Sequence, residues 1–145
     1  MNGYRHILCA VDLSDENITV ASRAAELAKF YQSQLSLLHV VEYIPIDLAN
    51  ELVLPQQQEI EQQLVAQAKS TLAALAKRIN LESVNEIVVQ GSTKSEIVEY
   101  ALANKVDLII LGRHGRHGIS RLLGSVANAV LHHATCDVLA IKVGD

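Results

Sequence analysis

The sequence has neither an apolar run that predicts a membrane span nor an N-terminal segment typical of a secretion signal. No apolar run approaches the roughly 18 residues of a spanning helix, and the N-terminal stretch turns acidic before a signal-type apolar segment develops. The two cysteines, Cys9 and Cys136, lie in separate apolar runs without CxxC or metal-type spacing, which argues against a disulfide framework. We therefore expect a soluble cytoplasmic protein with no membrane contact.

A positive overall charge is also missing. The chain has 12 basic and 16 acidic residues, for a formal net charge of -4. No general field therefore draws it to nucleic acid or to anionic lipid, and neither is expected as a partner. Any anion site must be local.

Length and hydrophobicity predict one folded domain over residues 1–145. The chain has 145 residues, half of them hydrophobic and 19% charged, which suits a single compact core. Both prolines, Pro45 and Pro55, fall in one aperiodic stretch at 42–55 that is predicted to be a long connection.

Short apolar runs alternate with amphipathic helical patterns along the whole chain. Strands are predicted at 5–11, 34–41, 84–90, 107–111 and 138–143, with helices after Ser14, from Gln56 to Ile79, after Thr93 and over 125–133. Ser14 is expected to cap the first helix, and Thr93 with Glu96 forms a T-x-x-E capping box for the third. Because strands joined by helices need right-handed parallel crossovers, the predicted fold is α/β: a three-layer, doubly wound domain with a five-stranded parallel sheet.

The loop after the fourth predicted strand is rich in glycine and in positive charge. Four of the seven glycines lie between Gly112 and Gly124, and no acidic residue occurs between Asp107 and Asp137. That interval holds three of the arginines and four of the six histidines. Glycine lets backbone amides approach phosphates closely, so this loop is a candidate polyanion site. A loop of solvated arginines with turn-forming glycines is the alternative.

The loop fits neither common nucleotide fingerprint. A Walker loop requires a lysine directly after its last glycine, but Gly124 is followed by a serine. No G-x-G-x-x-G follows the first strand either. A phosphoacceptor aspartate at Asp12 is disfavoured because acidic neighbours are missing there and the third strand ends in Gln90 rather than aspartate. Dinucleotide dehydrogenases, P-loop hydrolases and response regulators are therefore disfavoured.

Gly112, Gly115, Gly124 and Ser125 form a G-x2-G-x8-G-S pattern that resembles the nucleotide loop of the universal stress protein family. The start ILCAVDLS, the strand LLHV and the finish DLIILGRHG…LLGSVANAVLHHATCDVLAIKV resemble that family too, over essentially the whole chain. Eight residues separate Gly115 from Gly124, whereas the best-known ATP-binding members have nine. The resemblance implies a Rossmann-like fold of the adenine nucleotide alpha-hydrolase type.

The resemblance also implies roles for individual residues. Asp12 would lie beside the ribose and a phosphate-bound magnesium ion, and the glycines would let amides reach the phosphates. The implied nucleotide-binding residues are Ala10, Val11, Asp12, Val40, Leu111, Gly112, Arg113, His114, Gly115, Gly124, Ser125 and Val126. The alternative for Asp12 is a solvated strand end or a cap of the first helix.

The histidines are not expected to form a metal centre. His39 lies within an apolar strand, which favours a core or rim histidine over a catalyst. His114, His117, His132 and His133 lack closely spaced carboxylate or thiolate partners, so phosphate contact or solvation is the expectation. Magnesium is expected to arrive with the nucleotide.

The resemblance implies a stress-response switch or protective factor that binds ATP and has a signalling partner of unknown identity. Pairing of the 138–143 edge strand across a twofold axis would make it a homodimer. No nucleophile, base and orienting group are recognisable, so no catalytic residue is assigned, and at most slow ATP hydrolysis or autophosphorylation is expected. The alternatives are an interaction-only protein of the same fold without nucleotide and a weak ATPase.

Overall fold

The described part of the chain forms one parallel sheet covered by helices on both faces. The computed structural model describes residues 3–42, 54–113 and 124–143. The strands are β1 (His6–Ala10), β2 (Gln34–Val41), β3 (Asn85–Gln90), β4 (Leu108–Gly112) and β5 (Asp137–Ile141). The helices are α1 (Asn17–Tyr31), α2 (Leu54–Arg78), α3 (Thr93–Ala103) and α4 (Ser125–His133).

The strand order is β3-β2-β1-β4-β5, and every pair is parallel. The chain moves outward from β1 to β3 and then returns to the other side of β1 with β4. The strand order therefore reverses between β1 and β4, and a ligand crevice opens at such a point beyond the carboxyl ends of the strands. The predicted doubly wound α/β fold is confirmed, and strand ends differ from the predicted ones by at most two residues.

Alternating side chains of the central strands build a separate core on each face. In β1, Ile7 and Cys9 pack with α1 and α2, whereas Leu8 packs with α3 and α4. Both strands that flank β1 follow the same alternation. Because both faces are covered, these strands are nearly continuous apolar runs, which is why the sequence identifies them clearly.

Both predicted helix caps are wrong. Helix α1 begins only after Glu16, and Ser14 donates instead to the Asp12 carboxylate. Helix α3 begins at Thr93 itself, with Ser92 in the cap position and no side-chain cap hydrogen bond. The side chain of Glu42, which follows β2, accepts hydrogen bonds from the Thr93 N–H at 3.2 Å and from Thr93 Oγ1 at 2.8 Å.

The predicted connection at 42–55 falls largely on residues 43–53, which lie outside the described residues, and α2 already begins at Leu54. Among the described helices, none combines the length and the hydropathy that crossing a bilayer requires.

Candidate functional site

A cavity of about 110 Å³ opens where the strand order reverses. Its walls come from the carboxyl ends of β1, β2 and β4 and from the N-terminal parts of α1, α3 and α4. They are mostly apolar, with a few polar groups near Asp12. The lining residues are Ala10, Val11, Asp12, Asn17, Leu38, His39, Val40, Thr93, Ile97, Leu111, Gly112, Val126 and Ala127.

A second, larger cavity of about 850 Å³ adjoins the first and extends toward α2. The two share Asp12, His39, Val40, Thr93 and Val126, so they form one cleft. Ligand pockets commonly measure about 300–1,000 Å³. The small cavity therefore suits one part of a ligand, and the larger one has room for the rest.

Asp12, the second residue after β1, is held in a tight turn by its neighbours. Its Oδ1 accepts hydrogen bonds from Ser14 N at 2.9 Å, from Ser14 Oγ at 2.7 Å and from Asn17 Nδ2. In return, Asn17 Oδ1 accepts from the Asp12 N–H at 2.7 Å. These bonds orient the carboxylate at the junction of the two cavities. Glu16, and not Asp12, occupies the cap position of α1.

His39 is anchored to the same exit of β1. Its Nδ1 lies 2.8 Å from the Val11 carbonyl oxygen, while the Val11 N–H donates to the Leu38 carbonyl at 2.9 Å. Both polar backbone groups of Val11 are thus occupied by β2. Because the carbonyl accepts and cannot donate, Nδ1 carries the hydrogen.

The opposite side of the cleft is formed by the end of β4 and the start of α4. The Arg113 N–H donates to Ile141 O at 2.7 Å, and the Gly124 N–H donates to Arg113 O at 2.8 Å. These bonds bring the first turn of α4 beside Gly112. Ser125, the first residue of α4, lines the larger cavity.

Arg113 carries an unusual polar group. Its Nε is buried and has no hydrogen-bond partner within the described structure. A buried donor without a partner costs about 1–3 kcal/mol, so such a group calls for an explanation. An anion bound near the guanidinium would provide one.

The structure brings most of the predicted nucleotide-binding residues into one cleft. Those that line it are Ala10, Val11, Asp12, Val40, Leu111, Gly112, Ser125 and Val126. Arg113 and Gly124 line neither cavity and instead bond to each other through their backbones. His114 and Gly115 lie outside the described residues.

The described residues contain no cluster of three or more histidine, cysteine or acidic side chains that could hold a metal ion. His132 and His133 are exposed at the end of α4. Asp12 is a carboxylate at the cleft junction, and magnesium is commonly bound by one or two carboxylates together with substrate phosphates. The donor set therefore fits a metal that arrives bound to phosphate.

Comparison with known proteins identifies the family. The model of the universal stress protein family matches residues 3–142. The chain belongs to the universal stress protein family. Universal stress protein A homolog 1 of Coxiella burnetii is 40% identical over 138 residues, which cover 95% of this chain and 96% of that protein.

Solved universal stress proteins have the same fold. The universal stress protein UspA from Lactobacillus plantarum is 27% identical, with a TM-score of 0.83 over 99% of this chain and 100% of that one. A universal stress protein crystallised in complex with cAMP has a TM-score of 0.70 at 23% identity, over 99% of this chain and 100% of that one. At that identity, the second likeness shows the fold alone.

Several residues of the cleft are absent from the sequence-based set. Asn17, Ile97 and Ala127 line the smaller cavity, and His39 and Thr93 line both. Asn17 had a usable signal: an amide five residues after Asp12, at the start of a helix, is well placed to bond back to the turn. Thr93 had none, because its place in the cleft depends on how β2 and α3 pack.

Proposed function

We propose that this universal stress protein binds an adenine nucleotide, ATP with magnesium, in the cleft at the β1/β4 reversal. Its bound state would act as a stress-response switch or protective factor in the cytoplasm. The observation that carries the proposal is the junction of an apolar cavity with a carboxylate and a helix N-terminus. The apolar cavity suits the base, the carboxylate suits the ribose and a phosphate-bound metal, and the helix N-terminus suits the phosphates.

The smaller cavity suits the base. Val11, Val40 and Leu111 are buried side chains that form apolar walls around it, and Val126 closes it from α4. Moving a flat aromatic ring from water onto such a surface lowers the free energy.

The phosphates are proposed to lie toward Gly112 and the start of α4. Ser125 and Val126 begin this nine-residue helix, and the N-terminus of a helix attracts anions through free amides and its dipole. The buried Nε of Arg113 adds a positive group beside this end of the sheet. Asp12 would hold the phosphate-bound magnesium, which in turn offsets the phosphate charge.

The test is calorimetric titration of the purified protein with ATP and magnesium, after acid extraction to detect any nucleotide that co-purifies. ADP, AMP and cAMP are titrated in parallel, because a universal stress protein of the same fold was crystallised with cAMP. We expect about one ATP per chain. Absence of both co-purified and titratable nucleotide would overturn the proposal and favour an interaction-only protein.

Asp12→Ala provides the matched test of the site. It removes the proposed magnesium ligand, so ATP affinity should fall more in the presence of magnesium than in its absence. Asp15→Ala, at an exposed position in the same turn, is the control and should bind as the wild type does. Equal affinity of Asp12→Ala and wild type for magnesium ATP would contradict the role of Asp12.

We propose in addition that two copies pair through β5. Among the described strands, β5 pairs only with β4, and it lies at one end of the sheet. Leu139 on β5 and Leu131 on α4 are 36% and 44% exposed. An apolar open edge favours pairing with another strand.

Light scattering at micromolar protein concentration should give a dimeric mass. Leu139→Lys should shift this mass to that of a monomer. Leu102→Lys on α3 serves as the control, since Leu102 is 65% exposed on an element away from the edge. A monomeric mass for the wild type would contradict the dimer.

A further inference from the structure

His39 stands where the two cavities of the cleft meet. Leu38 and Val40, its neighbours in β2, belong to the core beneath α3 and α4, so strand alternation turns His39 toward α1 and α2. The ring is half-buried and lines both cavities together with Asp12. A ligand that spans the cleft must therefore pass this ring.

The chemistry of the ring is set by its bond to Val11. Because Nδ1 donates to the Val11 carbonyl at 2.8 Å, Nε2 of the neutral ring is a hydrogen-bond acceptor. Within the described residues, no donor is paired with Nε2. The protein thus presents an oriented acceptor to the cleft, and a ligand that uses it must supply a hydrogen.

An adenine nucleotide has few such hydrogens. Its ionised phosphates are acceptors, which leaves the two ribose hydroxyls and the amine of the base as strong donors. The apolar cavity suits the base and the start of α4 suits the phosphates, so the ribose falls at the junction. Asp12 and His39 meet at this junction, because Asp12 directly follows the residue that anchors His39.

We propose that His39 Nε2 accepts a hydrogen bond from a ribose hydroxyl and thereby selects ribonucleotides over deoxyribonucleotides. The inference rests on the proposed binding of an adenine nucleotide and adds a specificity-determining residue to it. A single hydrogen bond of this kind corresponds to a preference of about three- to tenfold. The anchored ring contributes to affinity because its orientation is fixed before the ligand binds, which lowers the entropic cost of forming the bond.

The test compares ATP, 2′-deoxyATP and 3′-deoxyATP, each with magnesium, by calorimetric titration of wild type and His39→Asn. The asparagine amide nitrogen takes the place of Nδ1, so it retains the bond to Val11 but presents no acceptor at the Nε2 position. His39→Gln is the complementary variant, because its longer amide reaches the Nε2 position. His132→Asn at the exposed end of α4 is the matched control.

In the wild type, one of the two deoxy analogues should bind about three- to tenfold more weakly than ATP. In His39→Asn, ATP affinity should fall to that analogue's level while affinity for the analogue stays as in the wild type. His39→Gln should restore part of the preference, and His132→Asn should keep all of it. If His39→Asn only disturbed the structure of the site, it would weaken the binding of ATP and of the analogue equally, and the preference for ATP would stay unchanged.

The possible results distinguish the failure of this inference from the failure of the proposed function. The role of His39 alone would be overturned if the wild type bound ATP and both deoxy analogues equally. It would also be overturned if His39→Asn kept the preference for ATP over the weaker deoxy analogue. Wild type that binds no nucleotide would overturn both. Inosine triphosphate lacks the amine of the base. If His39→Asn loses a preference for ATP over inosine triphosphate but keeps the preference for ATP over the deoxy analogues, the bond is to the base and the ribose assignment is refuted.

Discussion

Replacing Asn17 by alanine should destabilise the protein by about 2–4.5 kcal/mol. Asn17, the first residue of α1, is only 8% exposed, and its side-chain amide bonds to the turn after β1. Asn17→Ala removes the bond from Nδ2 to the Asp12 carboxylate, which as a bond to a charged group is worth about 1.5–3 kcal/mol. It also removes the acceptor of the Asp12 N–H, a neutral bond worth about 0.5–1.5 kcal/mol.

The measurement is urea unfolding followed by circular dichroism, with the free energy of unfolding extrapolated to water. Asn128→Ala on α4 is the matched control, because it makes the same chemical change at an exposed helical position. Such surface changes usually stay within about 0.5 kcal/mol. A loss below about 1 kcal/mol for Asn17→Ala, or an equal loss in the control, would refute the reasoning that Asn17 holds the Asp12 turn.

Three further predictions concern glycine and cysteine positions. Gly91→Ala should lower the free energy of unfolding in urea by about 1–2 kcal/mol, because Gly91 has a φ of 153° and an added Cβ would lie 2.7 Å from Glu96 Oε2; unchanged stability would contradict this. Burial raises the pKa of the Cys9 thiol from 9.0 to about 12, so only the unfolded chain ionises between these values. Relative to Cys9→Ala, the wild type should therefore lose about 1.4 kcal/mol of stability from pH 8 to pH 10, and parallel pH profiles would refute it. Iodoacetamide should label native Cys136 and spare Cys9, although burial and Asp137 raise the pKa of Cys136 and slow its reaction; mass spectrometry that finds Cys9 modified first would count against the buried position.

The sheet was predictable because its strands carry their signal locally. A strand such as β4 is covered on both faces and is therefore apolar throughout, which a short window of sequence reveals. Its ends shift by a residue because hydrogen bonding with neighbours, and not the run itself, sets them. The resemblance to the family predicted that the last strand lies at an edge of the sheet, and β5 does so.

Parts of the site were not predictable because they depend on contacts between distant segments. His39 bonds to Val11, 28 positions earlier in the chain, and Glu42 bonds to Thr93, 51 positions later. The two helix caps were predicted wrongly because each residue has a competing partner. Ser14 bonds locally to Asp12, two positions earlier, whereas Thr93 bonds to Glu42, which the fold brings close.

Nucleotide binding and unfolding together can separate two roles of Asn17. A ligand at 100 times its Kd stabilises the native state by about 2.7 kcal/mol, and each tenfold rise in Kd removes about 1.4 kcal/mol of that at fixed ligand concentration. If Asn17 also orients Asp12 toward phosphate-bound magnesium, Asn17→Ala should gain less stability from magnesium ATP than the wild type gains. If Asn17 serves the fold alone, both proteins should gain equally. Unfolding in urea with and without a fixed concentration of magnesium ATP measures the difference, and an equal gain would restrict Asn17 to a structural role.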